Sequence, residues 1–120
     1  MDYVEIALKI IIGLSILNVW LVRANKSTDW RGGDASNIKE EFHAYGLPKW
    51  FMYVIGTLKV ILALMLLASI YYQQVELIAA YGIAILMLGA VFMHFKIGDP
   101  LKKALPAFTF LVLSLVVAFI

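Results

Sequence analysis

This 120-residue chain contains four apolar segments, each about as long as a membrane-spanning helix. They cover roughly residues 3–23, 50–70, 76–96 and 101–120. Because an α-helix rises about 1.5 Å per residue, some ~20 apolar residues cross the ~30 Å hydrocarbon core of a bilayer. A composition of 63% hydrophobic residues also leaves too little polar surface for a soluble domain. We therefore predict an all-α integral membrane protein, a single four-helix transmembrane bundle over residues 1–120.

The basic residues outside the apolar segments fall on one side of such a bundle. An even number of spans brings the first and third connections to the same face. These connections and their flanks carry Arg23, Lys26, Arg31, Lys39, Lys49, Lys96, Lys102 and Lys103. The other face receives both termini and the turn 71–74, none of which is basic. Because cytoplasmic loops retain Lys and Arg, we predict an inner-membrane protein with loops 24–47 and 97–103 in the cytoplasm and both termini outside.

Several functional classes are excluded or disfavoured by composition. The chain has no cysteine, which excludes disulfides, thiol redox relays, iron–sulfur clusters and haem-attachment motifs. A net charge of +2, confined to short loops, gives no signal for nucleic acid. His43 and His94 lack the carboxylate or thiol spacing of a metal site, so we predict no metal. No paired acid–base set is present, and we do not expect enzymatic activity from this chain alone.

The first connection, residues 24–47, is predicted to contain a short helix at the membrane interface. Asn37 and Glu40 have the spacing of a capping box, and Gly46 is suited to end the helix. The apolar positions recur at i, i+4 and i+7, which gives one stripe: Ile38, Phe42 and Tyr45. Such a helix either covers the mouth of the bundle or forms a lid over a ligand site.

Features of the later segments predict how the helices start and pack. Asp99 followed by Pro100 is typical of an N-cap and the first residue of the fourth spanning helix. Pro106 should kink that helix or end a short lead-in. Gly82 and Gly89, seven residues apart on one face, favour close contact with a neighbouring helix.

Two lysines lie inside the apolar segments. Lys9 is four residues after Glu5, so we expect an ion pair near the outer surface. Lys59 lies near the bilayer midplane, where a bare ammonium costs ~2.5 kcal/mol or more. Gly56 and Ala63 share its face and allow a helix to approach, so Lys59 should point into the bundle.

The partner of Lys59 stays open at this point. Its ammonium requires an anionic ligand group, a carbonyl, a buried water, or Asn18 and Ser15 of the first segment. Alternatively the amine is neutral. The pattern is compatible with a ligand or proton role and with a structural lysine tied to polar neighbours.

The first connection adds a second group of candidates, Trp30-Arg31-Gly32-Gly33. A ring, a guanidinium and backbone N–H groups can bind a phosphate, a carboxylate or a quinone carbonyl. In the alternative interpretation, Trp30 anchors the loop and Arg31 pairs with a loop carboxylate. The candidate ligand-binding residues are Lys59, Asn18, Arg23, Trp30, Arg31 and His94.

Several motifs resemble the bacterial DoxX-like membrane proteins. They are Asn18-Val19-Trp20-Leu21-Val22-Arg23, Trp30-Arg31-Gly32-Gly33, Glu40-Glu41-Phe42, Tyr45-Gly46-Leu47-Pro48, Gly56-x-x-Lys59, His94 and Asp99-Pro100-Leu101-Lys102-Lys103. The resemblance implies four transmembrane helices. The wider superfamily includes subunits of a thiosulfate:quinone oxidoreductase and a chaperone of membrane receptors.

Two functional hypotheses follow from that resemblance. In the first, the chain is an accessory subunit that binds a lipophilic ligand such as a quinone for a membrane oxidoreductase. In the second, it is an assembly factor or chaperone that acts through helix–helix contact. Polar groups on inward faces favour the first, and small-residue faces toward lipid favour the second. A homo-oligomer is compatible with both. Any small ligand is expected in the cytoplasmic half of the bundle.

Overall fold

The structure, a computed structural model, describes residues 3–22, 32–33 and 35–120, and every regular element in these ranges is helical. The α-helices are α1 (Tyr3–Leu17), α2 (Ile38–Ala44), α3 (Lys49–Ala68), α4 (Glu76–Lys96) and α5 (Leu101–Phe119). A π-helix, Asn18–Val22, extends α1, and a 3₁₀ turn, Gln73–Val75, precedes α4. Four of these helical stretches are long and apolar enough to cross a membrane: α1 with its extension, α3, α4 and α5. The predicted fold class is confirmed.

The short helix α2 forms for the reasons that its sequence indicated. The Asn37 side chain accepts a hydrogen bond from the Glu40 N–H at 2.8 Å, and the Glu40 carboxylate accepts one from the Ser36 N–H at 2.8 Å. Gly46 lies just past the end with a φ of +77°, which a side chain would disfavour. The apolar stripe of α2 is buried: Ile38, Phe42 and Tyr45. We call the end of the bundle that carries α2 and the turn 97–100 the loop end.

The start of α5 differs from the expectation. Gly98, with a φ of +74°, turns the chain after α4. Asp99 does not cap α5, because its carboxylate accepts a hydrogen bond from the Gly33 N–H at 3.0 Å. Pro100 occupies the N-cap position instead, without a side-chain cap. Pro106 lies inside one uninterrupted helix, so a separate lead-in is not formed. Because proline has no N–H, α5 lacks one backbone hydrogen bond at Pro106. The packing of α5 along its whole length is sufficient to keep the helix continuous.

Glycines bring the spanning helices together. Three of them each receive a large side chain from a neighbouring helix: Leu67 against Gly13, Trp20 against Gly56, and Leu62 against Gly82. A Cβ atom at these positions would lie 2.5 to 2.8 Å from that side chain. The close contact expected at Gly82 is therefore confirmed. The one expected at Gly89 is wrong, because a Cβ there would meet nothing within 4 Å.

The opposite end of the bundle, which we call the hairpin end, carries Tyr3, the turn 69–75 and Ile120. A buried ion cluster lies there. Lys9 is 0% exposed, and its Nζ atom lies 2.8 Å from Glu76 Oε1 and 3.9 Å from Glu5 Oε1. It also donates a hydrogen bond to the Ser69 carbonyl at 3.3 Å. The expected Glu5–Lys9 pair is present, but the closer carboxylate belongs to α4, so the ion cluster joins α1 to α4, and the Ser69 carbonyl links it to the C-cap of α3.

Candidate functional site

A cavity of about 220 Å³ lies in the loop half of the bundle. The π-helix, α2, α3 and α4 supply its walls, which are mostly apolar. Its polar lining groups are Lys59, Glu41 and Tyr45. Ile85 and Gly89 also line it and are exposed on α4, so the cavity opens sideways between α3 and α4. The empty space beside Gly89 is therefore part of this opening.

Lys59 reaches the cavity from the middle of α3. Its Nζ atom lies 5.2 Å from the centroid of the Trp20 ring, and the same ring packs on Gly56 one turn earlier. The side chain thus points into the bundle, as its small-residue face predicted. Within the described ranges, no hydrogen bond or ion pair joins the ammonium to another residue. A cation–π contact of this kind contributes ~0.5–2 kcal/mol, which leaves the donors of the ammonium available to a ligand.

Asn18, a candidate acceptor for Lys59, is not part of the cavity. It begins the π-helix Asn18–Val22 and is exposed. The ring of Trp20, two residues later, takes the position beside Lys59 instead. The sequence carries no pattern that distinguishes a π turn from an α turn at these residues. That the Trp20 ring, rather than the Asn18 amide, lies beside Lys59 was therefore not predictable.

A chain of polar contacts leads from the cavity to the loop end. The Tyr45 hydroxyl donates to Glu41 Oε1 at 2.6 Å and lies 3.4 Å from His94 Nε2. His94 Nδ1 lies 2.7 Å from Asp99 Oδ2, and the Asp99 carboxylate accepts from the Gly33 N–H. Because the hydroxyl has one proton, the shorter contact identifies Glu41 as its acceptor. His94 is therefore held by the Asp99 carboxylate on one side and contacts the cavity-lining Tyr45 on the other.

The six predicted site residues are thus only partly brought together. Lys59 lines the cavity, His94 is one contact away from it, and Asn18 lies outside it. Arg23, Trp30 and Arg31 fall outside the described residues, so their role remains a prediction. Trp20, Glu41 and Tyr45 line the cavity but are not among the predicted site residues. Of these, Tyr45 had a usable signal, since it is the one member of the buried stripe of α2 with a hydroxyl.

Comparison with known proteins identifies one family. Residues 31–117 match the profile of the DoxX-like family. The match begins just before Gly32 and extends through α2, α3 and α4 into the last turn of α5, so it includes most of the cavity walls. Searches of curated proteins and of solved structures gave no match.

Proposed function

This chain belongs to the DoxX-like family of membrane proteins, and we propose that it binds a lipophilic ligand such as a quinone inside the bundle. In this proposal it is an accessory, non-catalytic subunit that serves a membrane oxidoreductase. The observation that carries the proposal is the sideways-open cavity with the Lys59 ammonium on its wall.

The position of the opening supports a ligand that comes from the bilayer. Ile85 and Gly89 lie on the outer surface of a spanning helix, where the surroundings are lipid tails. Pockets that enclose an entire drug-sized ligand measure ~300–1,000 Å³, so about 220 Å³ suits a single substituted ring. An isoprenoid tail would leave through the opening and remain in the hydrocarbon.

The Lys59 ammonium and the Trp20 ring complement a quinone head group. An ammonium within a membrane span is costly unless it has a partner, and a quinone oxygen would accept one of its hydrogen bonds. The Trp20 ring beside Lys59 offers a flat apolar surface on which a ring can pack. The Glu41 carboxylate and the Tyr45 hydroxyl lie on the wall that α2 contributes.

The alternative function, assembly of other membrane proteins through helix contact, has less support. Such contacts depend on small residues that face outward. The notches at Gly13, Gly56 and Gly82 are instead filled by side chains of this same chain, and the outward-facing Gly89 lies at the opening of the cavity. Lys59 and the carboxyl groups of Glu5 and Glu76 also lie in the bundle rather than toward lipid. This arrangement favours the ligand-binding proposal.

We expect a leucine at Gly89 to abolish ligand retention without loss of the fold. Its side chain would enter the opening, where a Cβ atom meets nothing within 4 Å. Replacing a helical glycine also removes a conformational penalty of ~1 kcal/mol, so stability should not fall. Native mass spectrometry of protein released from its membrane measures whether a quinone or another lipophilic molecule is retained.

The matched control for that variant is Ala7→Leu, which enlarges an exposed alanine of α1 away from the cavity. It should retain the ligand as the parent protein does. Equal retention by Gly89→Leu and Ala7→Leu would contradict the proposal. Release of a stable partner protein, with no small molecule bound to the parent chain, would favour the assembly function instead.

The orientation of the bundle is also proposed, from the basic residues of the loop end. We propose an inner-membrane location with loops 24–47 and 97–103 in the cytoplasm and both termini outside. Because the chain has no cysteine, a single introduced cysteine is the only labelled site. In whole cells a membrane-impermeant maleimide should label Gln73→Cys and leave Ser36→Cys unlabelled until the cells are opened. The reverse pattern would overturn the assigned orientation.

A further inference from the structure

A second, larger space lies on the other side of the Trp20 ring. It is a groove of about 660 Å³ between the π-helix, the start of α2 and one face of α3. Its walls include Trp20, Tyr53, Gly56, Thr57 and Val60. Tyr53 and Thr57 are exposed on α3, so the groove faces the surrounding lipid along its length.

Positive charge is concentrated where this groove meets the loop end. Lys39 of α2 and Lys49 of α3 both line it and are both exposed. Lys49 lies 5.9 Å over the Tyr53 ring, and neither lysine is ion-paired within the described part of the chain. The first turn of α3 begins at the same place without a side-chain cap, which adds the partial positive charge of a helix N-terminus. The mouth therefore favours an anionic group.

The length of the groove matches one leaflet of a bilayer. Its lining residues on α3 run from Lys49 to Ile61, which is twelve steps or about 18 Å along a helix. Half of a hydrocarbon core is ~15 Å. A molecule with its phosphate at the lysines would thus have an acyl chain that ends near the midplane.

We propose that this groove is a binding site for an anionic phospholipid of the leaflet at the loop end. The phosphate lies between Lys39 and Lys49, and one acyl chain lies along α3 past Thr57 and Val60. The site is separate from the cavity that contains Lys59, because the Trp20 ring lies between the two spaces. It does not depend on the identity of the ligand in that cavity.

Competition between two lipids tests the proposal. The full chain, purified in detergent, is mixed with equal amounts of phosphatidylglycerol and phosphatidylcholine, and the retained lipids are identified by native mass spectrometry. We expect preferential retention of one phosphatidylglycerol. Each basic residue near an anionic head group contributes about a fivefold preference, so in Lys39→Gln/Lys49→Gln the preference for phosphatidylglycerol should fall by about 25-fold. Equal retention of the two lipids by the parent chain would overturn the proposal.

Two controls distinguish lipid binding in the groove from general attraction to the basic residues of the loop end. Lys96→Gln/Lys102→Gln removes the same charge from the same end outside the groove, and should keep the preference. Thr57→Trp leaves both lysines in place but fills the groove, and should lose the lipid, whereas Thr109→Trp on the exposed face of α5 should not. A loss shared equally by both lysine pairs would refute the site. Retention by Thr57→Trp, or full displacement by inorganic phosphate, would refute the acyl-chain contact.

Discussion

Replacing Lys9 by methionine is expected to lower the free energy of unfolding by about 3–5 kcal/mol, the largest stability loss that we predict for this chain. The methionine would fill a similar volume but leave the buried Glu5 and the partly buried Glu76 near each other without the Lys9 ammonium. The Ser69 carbonyl would also lose a donor. Unfolding of the detergent-solubilised protein in increasing SDS, followed by tryptophan fluorescence, measures the change.

A neutral version of the same cluster provides the control. Lys9→Met/Glu5→Gln/Glu76→Gln removes all three charges together, and should recover most of the lost stability. Buried ion clusters can often be replaced by neutral groups at little cost, whereas removal of one partner leaves an uncompensated charge. A Lys9→Met protein that unfolds at the same SDS concentration as the parent would show that the cluster does not hold the hairpin end together.

Replacing Lys59 by methionine should have the opposite effect, with weaker ligand binding and little change in stability. We expect binding of a short-tailed benzoquinone to weaken by about 10- to 150-fold, the effect of losing one hydrogen bond from a charged donor of ~1.5–3 kcal/mol. The free energy of unfolding should stay within about 1 kcal/mol or increase, because the nearby Glu41 carboxylate keeps its hydrogen bond from Tyr45 and a charge leaves the span. Titration of the quinone into the purified variant measures the affinity.

The two lysines therefore form a matched pair, since each is replaced by the same side chain in a spanning helix. Lys9→Met should retain its quinone affinity under conditions in which it is folded, and Lys59→Met should retain its fold. If Lys59→Met unfolds readily while its quinone affinity is unchanged, Lys59 is a structural residue and the ligand-binding proposal fails.

Features that depend on one segment at a time were predictable from the sequence. The spans follow from the lengths of the apolar segments, and α2 follows from Asn37, Glu40 and Gly46, whose effects are confined to a few neighbouring residues. The direction of Lys59 also belongs to this class, because residues three and four positions away decide which face of a helix packs. Local rules were sufficient for these features.

Features that depend on the register between helices were not predictable. The Glu5–Lys9 spacing is visible within α1, but Glu76 is 67 residues from Lys9 and meets it only when α1 and α4 pack at one particular height. Asp99 was likewise predicted to cap α5, but after the turn at Gly98 its carboxylate lies beside His94, which the local sequence does not indicate. The cavity itself is a space left between four elements, which no single segment encodes.

The three glycine contacts determine which motions the bundle permits. Each includes α3: Leu67 enters the notch at Gly13, Leu62 enters the notch at Gly82, and Gly56 of α3 receives Trp20. Sliding α3 by one residue, about 1.5 Å, would move all three side chains out of register with the glycines that make room for them, so shear along the helix axes is opposed toward both α1 and α4. Widening of the cavity must therefore come from rotation of side chains at the opening or from tilting of α2, while α1, α3 and α4 act as a fixed frame.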